Sequence, residues 1–321
     1  MLSRLTILTF TLALAIPVAA LAQECPQNPS HLPDDISETS AWCPTCSKNA
    51  LEIIDGSLGE AEALGQGVDT TVKSILNIVR SEESGSAKPD YASITVDSGG
   101  LTYGAYQFDS KSGELHDMLA QYMSRGGAYS SALRPYVSSM AHGRMPHDQN
   151  LKNILRKAAN DPIMQQTQDD FFVERHLKNS MEKAADAGIR SPLGVALFVD
   201  IQTNGGIDSV MKTARRRVPQ IKTAGDETRF IEAMLDAREA RYRNLARHGY
   251  GKYLRGWIAR NNDFRSMLRN NDIGLEDKIR LPHIGESFCG GNHADARAFG
   301  LYMASLDQNR DGANEVAVKF P

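Results

Sequence analysis

Past residue 22 the chain has no long apolar run. A membrane-spanning helix needs about 20 consecutive apolar residues, so nothing beyond that point is expected to cross a bilayer. An excess of one charge is also missing, with 36 Lys and Arg against 39 Asp and Glu. No basic stripe with interleaved aromatics appears, which argues against a nucleic-acid partner. The Arg215-Arg216-Arg217 run is short and reads as a solvated helix face. Internal repeats are absent, so a stacked-repeat architecture is excluded. Strong strand signals are few.

What is present begins with a leader. Residues 1–4 carry a positive charge, residues 5–20 are almost wholly apolar, and Ala20-Leu21-Ala22 has the small-x-small form of a cleavage site. Residues 1–22 therefore read as a secretory signal peptide rather than an uncleaved anchor. The expected address is the periplasm or the medium. Cleavage leaves about 300 residues, enough for one large domain with a sizeable core or for two lobes around a cleft. Nothing suggests an obligate partner, so a monomer is expected.

The sequence has four cysteines, Cys25, Cys43, Cys46 and Cys289. In an oxidising compartment disulfides persist, and three pairings are open. Cys43-Pro44-Thr45-Cys46 has the spacing of a redox motif without its strand-to-helix setting. Together with Cys289 and His293 it also has zinc-ligand spacings. The favoured reading is structural disulfides that staple the irregular lead-in, residues 23–46, to the C-terminal segment.

Helical patterning starts near Ser47. Val72, Ile75, Leu76 and Val79 share one face of a helix that should end near Glu82-Glu83, with Ser84-Gly85-Ser86 stopping it. Residues 88–104 change character: β-branched Ile94, Thr95 and Val96 are followed by Gly99-Gly100, which predicts a small hairpin. Further helices are expected over 113–122, over 150–159, from Asp161-Pro162 through His176, from Pro192, and from Asp226-Glu227. The Pro192 helix is apolar nearly all round and should lie at the centre of the core, although it carries Asp200. The pattern is mainly α with one small β element.

Two carboxylates flank the predicted helix-to-sheet junction. Glu83 ends an amphipathic helix, where the dipole is hostile to its charge. Asp97 sits in a Gly-rich turn whose N–H groups can keep it ionised. Cleavage of a glycosidic bond needs one carboxyl as acid and a second to activate water or to attack, with environments that push the two apart. Glu82 is a rival for the acid.

From about Leu76 to Arg241 the chain resembles the family 46 chitosanases. The runs that carry the likeness come in the same order: Val79-Arg80-Ser81-Glu82-Glu83-Ser84, then Asp97-Ser98-Gly99-Gly100-Leu101-Thr102-Tyr103-Gly104, then Ser112-Gly113-Glu114-Leu115. Gln165-Gln166-Thr167-Gln168-Asp169, Pro192-Leu193-Gly194, Asp200, Gly225-Asp226-Glu227-Thr228 and Leu235-Asp236-Ala237-Arg238 follow. The resemblance implies an α+β lysozyme-like fold, mainly α, with two helical lobes around a cleft and a small β element. It implies Glu83 as general acid, Asp97 as general base and Thr102 as a holder of the attacking water. Glu114 and Tyr103 would meet the substrate, and Asp200 and Arg238 would belong to a buried ionic network behind the acid. A buried Asp needs a partner on physical grounds too. The chain departs from the family where Gly99 replaces an Arg, where the acid-to-base loop is shorter, and at Tyr103-Gly104-Ala105-Tyr106-Gln107. Glu83-Ser84-Gly85 with Gly99-Gly100-Leu101-Thr102-Tyr103-Gly104 also resembles the lysozyme-like cell-wall enzymes of phage and secretion systems.

The expected catalytic domain spans 47–255, with 256–321 as a C-terminal extension. The extension holds Asp307-Gln308-Asn309-Arg310-Asp311-Gly312, the start of a calcium loop, with Asp307, Asn309, Asp311 and Glu315 as ligands. Val318 stands where such a loop has its bidentate Glu. No cofactor is expected for catalysis, and any calcium would be structural. The expected activity is endo-acting, inverting hydrolysis of a β-1,4 amino-sugar polysaccharide such as chitosan. The alternatives are a peptidoglycan hydrolase and a non-catalytic glycan-binding envelope protein.

Overall fold

The computed structural model describes residues 58–308 apart from 87, 98–99, 141–147 and 277. The expected leader, the lead-in with Cys25, Cys43 and Cys46, and the tail from Asn309 onward lie outside the described residues.

Helix α1 (Leu58–Ser84) buries Val72, Ile75, Leu76 and Val79 along one stripe. It stops where the sequence says it should. Gly85 takes the left-handed φ of +74° and its N–H donates to the Ser81 carbonyl at 2.8 Å, the glycine stop favoured at helix ends. The chain then enters a three-stranded antiparallel sheet, β1 (Ile94–Asp97), β2 (Gly100–Tyr103) and β3 (Phe108–Asp109), in that spatial order. Asp97 pairs with Gly100 and Thr95 with Thr102.

The helices fall into two packed groups. One holds α2 (Glu114–Ser124), α3 (Ser130–Met140), α4 (Gln149–Ala158) and α5 (Pro162–Phe172), with the sheet attached through β3. The other gathers α1, α6 (Lys178–Asp186), α8 (Ile207–Arg217), α9 (Ala224–Leu245), α10 (Leu254–Arg269) and α11 (His293–Gln308) around α7 (Pro192–Asn204). Residues 192–201 of α7 are all buried, so this helix is the centre of the core its composition predicts. α1 belongs to the second group and the sheet to the first, so the chain crosses between them directly after Glu83.

The single long helix expected from Asp161 through His176 is interrupted. Asp161 caps α5 by accepting from the Ile163 N–H at 3.0 Å, but Val173–Leu177 form one wide π-turn before α6 continues. That turn lets α5 face α2 while α6 faces α7, which one straight helix cannot do.

The boundary at residue 256 does not hold. α10 packs on α9 and α7, a second hairpin (β4, Lys278–Leu281; β5, Glu286–Cys289) joins α10, and α11 lies along α1. Phe264, Met267, Ile279, Leu281, Phe299 and Met303 are buried in the same core as α7. The segment expected as an extension completes that core.

Gln168 of α5 clamps the sheet. Its Oε1 accepts from the Ala105 N–H at 2.9 Å and its Nε2 donates to the Tyr91 carbonyl at 3.2 Å. Gly104 makes room for it: φ is +87°, and a Cβ there would come within 2.1 Å of Gln168 Oε1. Gly104→Ala adds backbone strain to a broken clamp. It is expected to destabilise the fold by about 3 kcal/mol, read as a lower denaturation midpoint with an unchanged m-value.

Candidate active site

The last turn of α1 delivers two adjacent carboxyls. Successive residues on a helix point about 100° apart, so only one of the pair can follow the buried stripe. Glu82 does: its side chain is 0% exposed. Glu83 sits at the edge and is 17% exposed. The enclosure expected for a raised acid thus falls on Glu82. Glu83 is the carboxyl that reaches the surface, which favours it over Glu82 as the group a substrate can touch.

Arg260 of α10 holds Glu83. Its Nη2 lies 2.7 Å from Glu83 Oε1, and its Nη1 donates to the Glu82 carbonyl at 3.0 Å. Asn204, the last residue of α7, donates from Nδ2 to Glu83 Oε1 at 3.2 Å. Behind them Asp200 joins two guanidinia. Its Oδ1 accepts from Arg260 Nε at 2.9 Å and also touches Arg260 Nη2, while its Oδ2 accepts from Arg238 Nη2. Arg238 Nε in turn donates to the Tyr242 hydroxyl at 2.6 Å. Burial opposes the charge of Asp200, but Arg238 and Arg260 hold it below the ordinary carboxylate range. Arg260 is likewise pulled well above its ordinary value against the effect of burial, by Asp200 first, then Glu83 and Glu82.

Glu82 has the opposite character. Burial pushes its carboxyl up to about 9, with Arg260 opposing and Asp200 and Asp263 adding to the rise. The native state keeps a proton that the unfolded chain releases near its ordinary value of 4.5. Stability should therefore fall as pH rises from about 4.5 toward 9 and then level off, by at most about 1.4 kcal/mol per pH unit from this group. Glu82→Gln should gain stability relative to the parent across that window. Urea melts of both proteins at several pH values test it, and a pH-independent difference would remove the displaced proton.

Asp97 is the last residue of β1, opposite Gly100; its side chain lies outside the described residues. Thr102 is buried, with its hydroxyl against that of Thr95 and donating to Gln107 Oε1 at 2.8 Å. Glu114 opens α2 and lies 2.9 Å from His176 Nε2. Tyr103 requires a correction. Its ring is fully buried and its hydroxyl donates to the Leu155 carbonyl at 2.8 Å. The alternation of β2 turns it into the core, so it anchors the sheet to α4 and does not meet substrate.

Arg260 is the group sequence reading missed. It lies beyond the stretch in which family likeness was visible, and a lone Arg on an amphipathic helix carries no motif. Asp200 called for a cation, and Arg238 already answered that call. Of the calcium-loop residues, α11 runs through Asp307, whose side chain lies outside the described residues together with Asn309, Asp311 and Glu315. Of the zinc candidates, Cys289 ends β5 and His293 Nδ1 lies 3.2 Å from Glu276 Oε1; Cys43 and Cys46 fall outside.

Cleavage of a glycosidic bond needs two carboxyl groups, and the backbone brings Glu83 at the end of α1 and Asp97 at the end of β1 onto consecutive elements. The class this arrangement defines is a glycoside hydrolase. The chain belongs to glycosyl hydrolase family 46, which matches residues 77–278. The match runs past Arg260. Among solved structures, the chain is similar to the GH46 chitosanase GsCsn46A of Gynuella sunshinyii in complex with chitotetraose, at 21% identity and TM-score 0.60, covering 68% of this chain and 96% of that one. It is also similar to the native chitosanase of Bacillus subtilis MY002, at 18% identity and TM-score 0.58, covering 68% and 97%. No curated protein matches the chain. Among the described residues no helix is long and apolar enough to cross a membrane.

Proposed function

We propose that the protein is an exported, endo-acting, inverting hydrolase of a chitosan-like β-1,4 amino-sugar chain. The observation that carries this reading is Glu83, partly exposed at the end of α1 and fixed by Arg260. Glu83 in its protonated form gives its proton to the glycosidic oxygen as the bond to the anomeric carbon breaks. Asp97 takes a proton from the water that attacks the opposite face, and Thr102 lies across from Thr95 on the same hairpin to help place that water. Asp200 and Arg238 fix Arg260, which fixes the acid. None of these steps calls for a metal, and calcium at Asp307, Asn309, Asp311 and Glu315 would serve the tail alone. Chitosan is favoured as substrate because both solved relatives are named as chitosanases, one of them with chitotetraose bound.

Peptidoglycan stays as the second reading on one observation. Glu114, one of the residues expected to meet the substrate, is already engaged by His176. The test is product release by the mature protein from soluble chitosan and from purified sacculi in parallel, with the anomer of the first product read by NMR. Inverted oligosaccharides from chitosan alone support the proposal. Release from sacculi alone moves the substrate to the cell wall, and a retained anomer overturns the water-activating role of Asp97.

A further inference from the structure

The hydrolytic step leaves an exposed aromatic cluster beside Glu83 unused. Tyr250 and Tyr253, in the turns between α9 and α10, are 48% and 40% exposed. Both rings lie against Trp257 at the start of α10, Tyr253 stacked on it at 5.6 Å and Tyr250 tilted to it at 6.5 Å. Trp257 stacks in turn on Tyr242 at 5.0 Å. Tyr242 ties the cluster to the ionic network, since its hydroxyl accepts from Arg238 Nε at 2.6 Å. Trp257 also precedes Arg260 on α10 by the spacing of neighbours on one helix face, and Arg260 Nη2 lies 2.7 Å from Glu83 Oε1. Among the described residues the remaining large apolar side chain that is exposed is Val96, next in sequence to Asp97. Exposed apolar surface is thus found beside both candidate carboxyls.

Charge singles out the same place. Residues 240–259 contain Arg241, Arg243, Arg247, Lys252 and Arg255 and no Asp or Glu. Among the described residues only Arg243 of these has a carboxylate partner, Glu239 at 2.7 Å. This is a basic stretch with interleaved aromatics, which corrects the expectation that the chain has none. An aromatic face attracts a cation, but Lys252 Nζ already lies over the Tyr253 ring at 4.8 Å. A sugar with a free amine would bring a further positive charge to this surface and find no carboxylate to receive it. An N-acetylated sugar brings no charge. Its apolar ring face and its methyl group can cover the aromatic rings, and its amide carbonyl can accept from the Lys and Arg donors.

We propose that Tyr250, Tyr253 and Trp257, with Lys252 and Arg255 beside them, form a sugar-binding subsite that selects an N-acetylated unit of the glycan chain over one with a free amine. The inference rests on the hydrolase reading and narrows its substrate to amino-sugar chains that carry acetylated units. Aromatic rings among cations also suit single-stranded nucleic acid. The glycan is favoured because the cluster is joined to the network that holds Glu83, through Tyr242 on one side and along α10 on the other.

Trp257 itself reports the binding. The chain has two tryptophans, Trp42 and Trp257, so Trp42→Phe leaves the fluorescence to the cluster. That variant, combined with Glu83→Gln to keep the ligand whole, is titrated with the N-acetylglucosamine tetramer, the glucosamine tetramer and a thymidine tetranucleotide at one ionic strength. The acetylated tetramer is expected to shift the emission and to bind about tenfold more tightly than the free amine, the effect of one like charge a few ångströms away. Tyr250→Ala should weaken the acetylated tetramer by about tenfold. Lys252→Glu with Arg255→Glu should bring the free-amine tetramer level with it or above. All three positions are exposed, and a thermal melt checks that each variant folds like the parent. Equal affinity for the two tetramers, tighter binding of the free amine, an emission that neither sugar moves, or a nucleotide that binds more tightly than both sugars overturns the proposal. Product release by the parent from partly acetylated and from fully deacetylated chitosan is measured alongside. An active parent whose Trp257 ignores the acetyl group loses only the subsite, whereas a parent inert on every amino-sugar chain loses the hydrolase reading.

Discussion

Glu83→Gln is expected to lower kcat/KM on a soluble glycan by about 10³-fold, the share a general acid usually contributes, and to leave the melting temperature within about 2 °C. The amide has the shape of the carboxyl but no proton to give. It can still accept from Asn204 and Arg260, which lie 3.2 and 2.7 Å from Glu83 Oε1. Little core is disturbed, since the side chain ends at the surface. Steady-state rates and a thermal melt on the same preparation separate the two effects. A variant that melts like the parent and still turns over would return the acid to another carboxyl, Glu82 first among them.

Arg260→Ala should be costly in both measurements. The substitution leaves Asp200 with Arg238 alone of its two guanidinium partners, and Asp200 is fully buried. Breaking one side of a buried ion pair costs about 3–5 kcal/mol, because the remaining charge is left without compensation. Glu83 also loses the group that holds it. Misplacement by about 1 Å is enough for a loss on the order of 10²-fold, so activity should fall even where the variant is kept folded. Arg260→Lys restores the charge but not the fork that reaches Asp200, Glu83 and the Glu82 carbonyl together. It should recover part of the stability and little of the rate. Equal recovery of both by Lys would show that charge alone, not geometry, is what Arg260 supplies.

Several elements were legible in the chain because their causes are local. The end of α1 follows from Ser84-Gly85, the start of α5 from Asp161-Pro162, and the centrality of α7 from an apolar run with no polar face. The β1–β2 hairpin follows from β-branched residues on one side of Gly99-Gly100. Other elements were not legible. Leu133, Val137 and Met140 share a helical face in α3, but Pro135 lies among them and argues against a helix when read alone. The π-turn at Val173–Leu177 answers to two different packing partners, which no local pattern names. β4, β5 and α11 carry weak periodicity and owe their order to the core they close.

The site divides along the same line. Sequence by itself determined which residue types could do the chemistry, since Glu82-Glu83 at a helix stop and Asp97 in a glycine turn are properties of adjacent residues. It also determined that Asp200 must be paired, because a charge on an apolar helix cannot stay alone. Only the tertiary structure decided which of two neighbouring glutamates is enclosed and which reaches the surface, since that depends on what packs against the last turn of α1. It alone turned Tyr103 inward and brought Arg260, 177 residues downstream, to within 2.7 Å of Glu83. The physical reason is that burial and ionic contact are set by the neighbours a residue meets in space, and those neighbours come from helices whose sequences carry no mark of the meeting.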